Sequence, residues 1–242
     1  MDLEEKRFRD AENLLNQSGY TLAEFLRDSS RYKSTLLMLP DDELRAYQKL
    51  YADIATGGLS KGEKGKKLEE LSTILFQKSA GSLLDVYRNC RTSTNEIDLL
   101  IRWTERARLS GIQAAFPCFG DSFLCECKNY DGPVNVTYVG KFSSLMSAAN
   151  TNFGIMISWE GITGRNKWSD SQGLIKKIAL REKRYIIVLD KDDLEKIYKK
   201  EESVFSVIYD KYIALKNEID YRQYIDRHEA EDMIIGAVKK LP

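Results

Sequence analysis

Histidine is almost absent from this sequence, with a single copy, His228, in 242 residues. It stands in the charged run Asp226-Arg227-His228-Glu229 and reads as a solvated surface residue. An HNH-type site or a Ser-His-Asp triad needs an imidazole base at the reacting centre, so the sequence argues against both. Cysteine is sparse as well. Cys90, Cys118, Cys125 and Cys127 include no CxxC pair, and His228 is too distant to complete a Cys/His zinc site. These four read as buried, reduced thiols, as expected of a cytoplasmic protein. Four prolines and fifteen glycines are too few for long low-complexity linkers. No window approaches the roughly 20 apolar residues of a membrane-crossing helix. The charged start MDLEEKRFRD has no apolar segment of the kind a secretory signal carries. A surplus of one charge is missing too: Lys plus Arg and Asp plus Glu are 37 each. Any nucleic-acid contact must therefore come from local patches rather than from a global positive field.

What is present suits a packed core. Apolar residues are 43% and charged residues 31%, enough for one full α/β domain with a smaller appendage. Residues 1 to about 57 read as helices, with Ala11, Leu14, Leu15 and then Leu22, Phe25, Leu26 at helical spacing. Pro40-Asp41-Asp42 is a helix start, followed by Leu44, Tyr47, Leu50, Tyr51 and Ile54; Gly57-Gly58 ends that helix. This unit is either a packing or dimerisation bundle or a DNA-reading helix-turn-helix. The run Lys61-Gly62-Glu63-Lys64-Gly65-Lys66-Lys67 reads as a flexible, charged boundary. A helix with Leu68, Leu71, Leu75 and Phe76 on one face follows it. Strands are expected over 83–91, 96–103 and 123–128, with 105–121 as a loop or hairpin extension around Gly111, Pro117 and Gly120. Then come a helix over 136–149, striped by Val136, Val139, Phe142, Leu145 and Met146, and a strand over 154–159. A helix over 174–180, a strand over 185–189 and a helix over 192–198 complete the pattern. Three meandering strands followed by alternating helix and strand imply a mixed sheet. The expected organisation is a helical unit over 1–60, an α/β domain over 61–200 and a helical tail over 201–242.

Two strands carry charges that a core does not explain. In Phe123-Leu124-Cys125-Glu126-Cys127-Lys128, alternation sends Phe123, Cys125 and Cys127 to one face and Leu124, Glu126 and Lys128 to the other. In Asn95-Glu96-Ile97-Asp98-Leu99-Leu100-Ile101, Asp98 is the odd residue of an apolar run. A buried charge is costly unless paired or bound to a metal, so the pattern means either a salt bridge or a site. If the two strands are neighbours, Asp98 approaches Glu126, and two carboxylates beside an amine make a hard oxygen site suited to Mg²⁺ or Mn²⁺.

With these residues in place, the sequence resembles the PD-(D/E)xK superfamily of restriction-endonuclease-like nucleases. The resemblance rests on Ile97-Asp98-Leu99-Leu100 and on Glu126-Cys127-Lys128-Asn129-Tyr130. Lys67-Leu68-Glu69-Glu70-Leu71 is similar to the family's first helix, which often adds an acid; Glu69 is the candidate and Glu70 the alternate. Gly132-Pro133-Val134, the helix holding Val139, and Phe153 to Ser158 running on to Gly161-Ile162-Thr163 look like the Mrr-like branch, over roughly residues 65 to 197. The resemblance implies a restriction-endonuclease-like mixed β-sheet core flanked by helices, with helical N-terminal and C-terminal extensions. It implies Mg²⁺ or Mn²⁺ as cofactor, Asp98 and Glu126 as metal ligands with the Cys127 carbonyl, Lys128 as the catalytic amine, and Glu69 in support. It also implies DNA as partner and substrate, a homodimer or larger homo-oligomer, and a role in restriction of foreign DNA. Lys141, Arg165 and Lys167 are candidate phosphate contacts, the last two on a segment that is otherwise a plain strand-to-helix loop. Two departures stand out: Ile97 replaces the proline before the first acid, and the 105–121 insertion, lengthening the path from Asp98 to Glu126, is positioned to reshape substrate access. The rival readings are a non-catalytic nucleic-acid or protein interaction module on the same fold and a nuclease acting on RNA.

Overall fold

The computed structural model describes residues 3–29, 37–79, 83–91, 96–109, 111–128, 131–164 and 169–220. Asn95, Asn129, Tyr130, Arg165, Lys167, His228 and the tail beyond 220 lie outside the described residues. The chain opens with α1 (Leu3–Gln17), α2 (Leu22–Ser29), α3 (Asp41–Thr56) and α4 (Lys61–Lys78). The antiparallel strands β1 (Leu84–Arg91), β2 (Glu96–Trp103) and β3 (Ser122–Lys128) follow, with the short α5 (Glu105–Leu109) and α6 (Ile112–Ala115) and a 3₁₀ turn, Pro117–Phe119, between the last two. Then come α7 (Val136–Ala148), β4 (Phe153–Ser158), α8 (Asp170–Glu182), β5 (Tyr185–Leu189), α9 (Lys191–Tyr198) and α10 (Val204–Asp220).

The strands form one sheet in chain order, β1 to β5. The first two pairings are antiparallel and the last two parallel. The parallel pairs need helical crossovers, which α7 and α8 supply. Each sheet face carries its own core. One gathers Leu68, Leu71, Leu75 and Phe76 of α4 with Leu99, Ile101, Phe123, Cys125 and Cys127. The other gathers Val139, Phe142 and Met146 of α7 with Leu124, Met156 and Ile175. Contact with α7 is tight at Gly154, where a Cβ would lie 2.7 Å from Met146 Sδ and 2.9 Å from Phe142 Cζ. This is the mixed α/β architecture expected from the strand and helix pattern. Within the α7 stripe, Val136 proves exposed because it sits on the first turn, beyond the sheet.

Two segments differ from expectation. Residues 61–67 are the first turns of α4, not a flexible boundary. Ser60 accepts a bond from the Glu63 amide, and the Glu63 carboxylate accepts from the Ser60 amide at 2.9 Å, a reciprocal cap that outweighs Gly62 and Gly65. The described residues of 105–121 include short helical turns at 105–109, 112–115 and 117–119 rather than a plain loop, because Ile112 and Ala115 join the core and Phe116 and Phe119 pack on Trp103 and Phe205.

Helix α3 is welded to later parts of the chain. Tyr47 is fully buried, and its hydroxyl donates to the Leu194 carbonyl at 2.9 Å. Burial pushes the Tyr47 phenol well above its ordinary pKa, with Tyr51 adding to it, so the group stays neutral and donates. Lys67 reaches back to Asp53 at 2.7 Å. Tyr47→Phe removes one buried hydrogen bond without changing shape and is expected to cost about 1 kcal/mol. Urea unfolding of the two proteins side by side checks this; equal midpoints would mean the bond contributes nothing.

Candidate active site

Asp98 lies near the start of β2 and Glu126 near the end of β3, so the antiparallel register brings them to the same end of the hairpin. The pairing runs from Arg102 opposite Ser122 to Leu99 opposite Cys125. One further step would set Asp98 against Glu126, and there the ladder gives way. The Cys127 amide donates to the Asp98 carboxylate, Oδ2, at 2.8 Å. The strands open beyond this bond, and Glu126 and Lys128 project beside the opening. Lys128 Nζ sits 2.5 Å from Glu126 Oε1 and 3.7 Å from Asp98 Oδ2. The three side chains therefore converge, as their placement on the two strands requires.

They are largely out of solvent, with side-chain exposures of 17% for Asp98, 12% for Glu126 and 19% for Lys128. Glu126 uses one oxygen on Lys128, and its other, Oε2, is buried with no hydrogen-bond partner. Two effects oppose each other on this carboxyl. Burial, and then the Asp98 charge, push its pKa above the ordinary glutamate value, while Lys128 pulls it down. The net shift is upward, so desolvation and like charge outweigh the ion pair. Glu69, from α4, reaches the same neighbourhood. Its carboxyl is raised by burial first and by Asp98 second, with Arg88 offsetting in part at 3.9 Å. The alternate, Glu70, is exposed.

The sign of the Glu126 shift makes a stability prediction. A carboxyl whose folded pKa exceeds its unfolded one binds more protons in the native state, so stability falls as pH rises through that window. The window opens at the ordinary glutamate value of 4.5 and extends upward. Glu126→Gln keeps the shape and removes the charge. Its melting temperature at neutral pH, without metal, should be no lower than that of the wild type, and its decline from acid to neutral pH shallower. Melts at matched pH values test this; a clear drop for the variant at neutral pH would show the ion pair to dominate.

The donors present fit a hard divalent ion: two carboxylates, one with an orphaned buried oxygen. Among the described residues no group of three or more His, Cys, Asp or Glu side chains stands close enough to hold a metal ion. Next to Glu126 and Lys128 opens a cleft of about 640 Å³, with Glu96 on the same wall and Tyr138, Lys141 and Ser144 of α7 on the other. Lys141 Nζ lies 5.6 Å from the centre of the Tyr138 ring. Sequence reasoning reached Lys141 but missed Glu96, Arg88 and Tyr138. The signal for Glu96 was its position two residues before Asp98 on the same strand; Arg88 and Tyr138 carried none apart from type.

The 105–121 insertion is not at this cleft. It joins the end of β2 to the start of β3, the opposite end of the hairpin from Asp98 and Glu126. Trp103 lies five residues along β2 from Asp98, roughly 17 Å at about 3.3 Å per residue. The insertion's aromatic side chains pack against α10, and Gly111 lies against Ala23 of α2. The expectation that it reshapes access to the acids is therefore corrected. Among the described residues, no helix is long and apolar enough to cross a membrane.

A restriction endonuclease family model, that of the Mrr catalytic domain, matches residues 61–197. A search of the curated proteins finds no match. Among solved structures, the chain is similar to the DNA modification-dependent restriction endonuclease AspBHI, at 12% identity and a TM-score of 0.38, over 75% of this chain and 42% of that one. The chain thus spans less than half the length of that relative. The segment matched by the family model is more than half of the 242 residues and contains Glu69, Asp98, Glu126 and Lys128. On that match, the chain belongs to the restriction endonuclease family of the Mrr catalytic domain, within the PD-(D/E)xK restriction-endonuclease-like nucleases.

Proposed function

We propose that the protein is a divalent-metal-dependent endonuclease that hydrolyses phosphodiester bonds in DNA and serves to restrict foreign DNA. The observation that carries this is the meeting of Asp98, Glu126 and Lys128 at the opening between β2 and β3, with a buried Glu126 oxygen lacking any partner. Asp98, Glu126 and the Cys127 carbonyl would hold Mg²⁺ or Mn²⁺. When bound, such an ion polarises the phosphate and acidifies a water. Asp98 is kept in place by the Cys127 amide, so its carboxylate is oriented before anything binds. The Lys128 ammonium sits where it can donate to a phosphate oxygen and offset the charge that develops there. Glu69, half-buried and with its carboxyl raised by burial and Asp98, would support a second metal or the water network. Lys141, on the facing wall, supplies positive charge for the DNA backbone; Arg165 and Lys167 are proposed to join it. Two cuts in a duplex need two such sites, which favours a homodimer or larger homo-oligomer.

The test is nicking of supercoiled plasmid with Mg²⁺, run beside a folded RNA of similar length and a chelator control. Cleavage of DNA alone, lost with chelator, is the expected result. Cleavage of RNA alone would replace the substrate. Binding of DNA without cleavage, in Mg²⁺ and in a parallel Mn²⁺ reaction, would leave an interaction module on a nuclease fold.

A further inference from the structure

Asp98 departs from the strand on both of its flanks. Toward β3, the Cys127 amide goes to its side chain. Toward β1, Arg88 pairs with Leu99 and Cys90 with Ile97, so Asn89 stands opposite Asp98. Asn89 has φ of 49°, in the left-handed region that strands exclude. The consequence shows in the side chains. Ile97 and Leu99 are two residues apart and would share a face of a regular strand. Instead Leu99 is buried in the core beneath α4, and Ile97 in the core beneath α7. The ribbon of β1 and β2 therefore turns over between these two pairs. A residue at the turning point projects along the sheet rather than above or below it, which is where the Cys127 amide meets the Asp98 carboxylate.

We propose that Asn89 is a positioning residue: its left-handed backbone sets the turn of the β1–β2 ribbon that aims the Asp98 carboxylate into the gap beside β3. Asn89 is exposed on the edge strand and acts only through Asp98. The residue type matters. Glycine and asparagine enter the left-handed region readily, whereas a β-branched side chain does so rarely and strongly favours regular strand. Valine at this exposed edge position would suit a flattened ribbon, with its cross-strand pairing intact. Flattening would misdirect Asp98 and also draw Ile97 from the core beneath α7, so placement is read at the Cys127 amide and not from the melting temperature. Only its metal-binding consequence rests on the function proposed above.

The experiment compares wild type, Asn89→Gly, Asn89→Ala and Asn89→Val by thermal melt, by exchange of the Cys127 amide in NMR, and by Mn²⁺ titration calorimetry. Wild type and Asn89→Gly should protect the Cys127 amide alike. Asn89→Val should fold but melt below wild type, exchange the Cys127 amide at least tenfold faster while amides between β4 and β5 stay protected, and bind Mn²⁺ at least tenfold more weakly. A folded Asn89→Val with wild-type protection at Cys127 overturns the proposal. If Asn89→Val does not fold, Asn89→Ala is judged by the same exchange criterion. Should wild type bind no Mn²⁺, the metal reading fails, and amide exchange, which needs no metal, still decides the role of Asn89.

Discussion

Lys128→Ala should lower the rate of Mg²⁺-dependent plasmid nicking by at least about a hundredfold, the loss typical of removing one preorganised group that stabilises transition-state charge. The ammonium lies between two carboxylates, 2.5 Å from Glu126 and 3.7 Å from Asp98, and is the cation in contact with both. Removing it leaves two mostly buried acids to face each other. Without metal, Lys128→Ala should therefore melt below wild type at neutral pH and approach it in acid, where Glu126, already raised by burial and Asp98, takes up a proton. The same loss of nicking without that change in pH dependence would place the lysine's role elsewhere. Arginine is not an expected rescue: the planar guanidinium is wider than an ammonium and does not fit between the same two oxygens. Rate and melting curve, measured on one preparation, give both results.

Mn²⁺ should raise the melting temperature of the wild type by roughly 5 to 10 °C. A ligand at about a hundred times its dissociation constant adds about 2.7 kcal/mol to stability, and about 1 kcal/mol moves the midpoint of a chain this long by roughly 2 to 4 °C. Asp98→Asn and Glu126→Gln should gain less than about 2 °C, since each loses a charged ligand. The order of the proteins should then reverse. Without metal Glu126→Gln is at least as stable as wild type, because it lacks a charge whose burial is unfavourable; with metal the wild type is the more stable. A structural salt bridge predicts no such crossing, because it would make the variant weaker in both conditions. Melts with Mn²⁺ and with chelator separate the two accounts.

The core of this site was legible because burial made its charges conspicuous. Asp98 interrupts an apolar run, and Glu126 and Lys128 share one face of a strand whose other face is Phe123, Cys125 and Cys127. Strand alternation puts Glu126 and Lys128 on one face, and pairing of β2 with β3 brings Asp98 to the same end of the hairpin. The mixed sheet was legible from the pattern, since β4 and β5 are short apolar runs set off by amphipathic helices. What failed to show was decided by local exceptions. The first turns of α4 contain Gly62 and Gly65 among lysines, which look like a linker; the Ser60–Glu63 cap that holds them helical is a two-residue signal within that noise. The insertion between β2 and β3 carries Gly111, Pro117 and Gly120 as punctuation, and its helical turns exist through burial of Phe116 and Phe119 on Trp103 and Phe205, contacts made across the whole chain. Asn89 is marked only by its type: asparagine enters the left-handed region readily but is commonest in turns, so type alone does not place that conformation inside a strand. The shape of the cleft was equally hidden: Tyr138 and Lys141 reach it only because α7 crosses over to set β4 beside β3.

The most direct measurement is a crystal structure of the protein soaked in Mn²⁺, with the metal located by its anomalous signal. The account predicts a peak within bonding distance of the Asp98 and Glu126 carboxylates and the Cys127 carbonyl, with the Lys128 ammonium drawn away from Glu126. Crystals that take up Mn²⁺ elsewhere while Lys128 stays clasped between the two acids would contradict it.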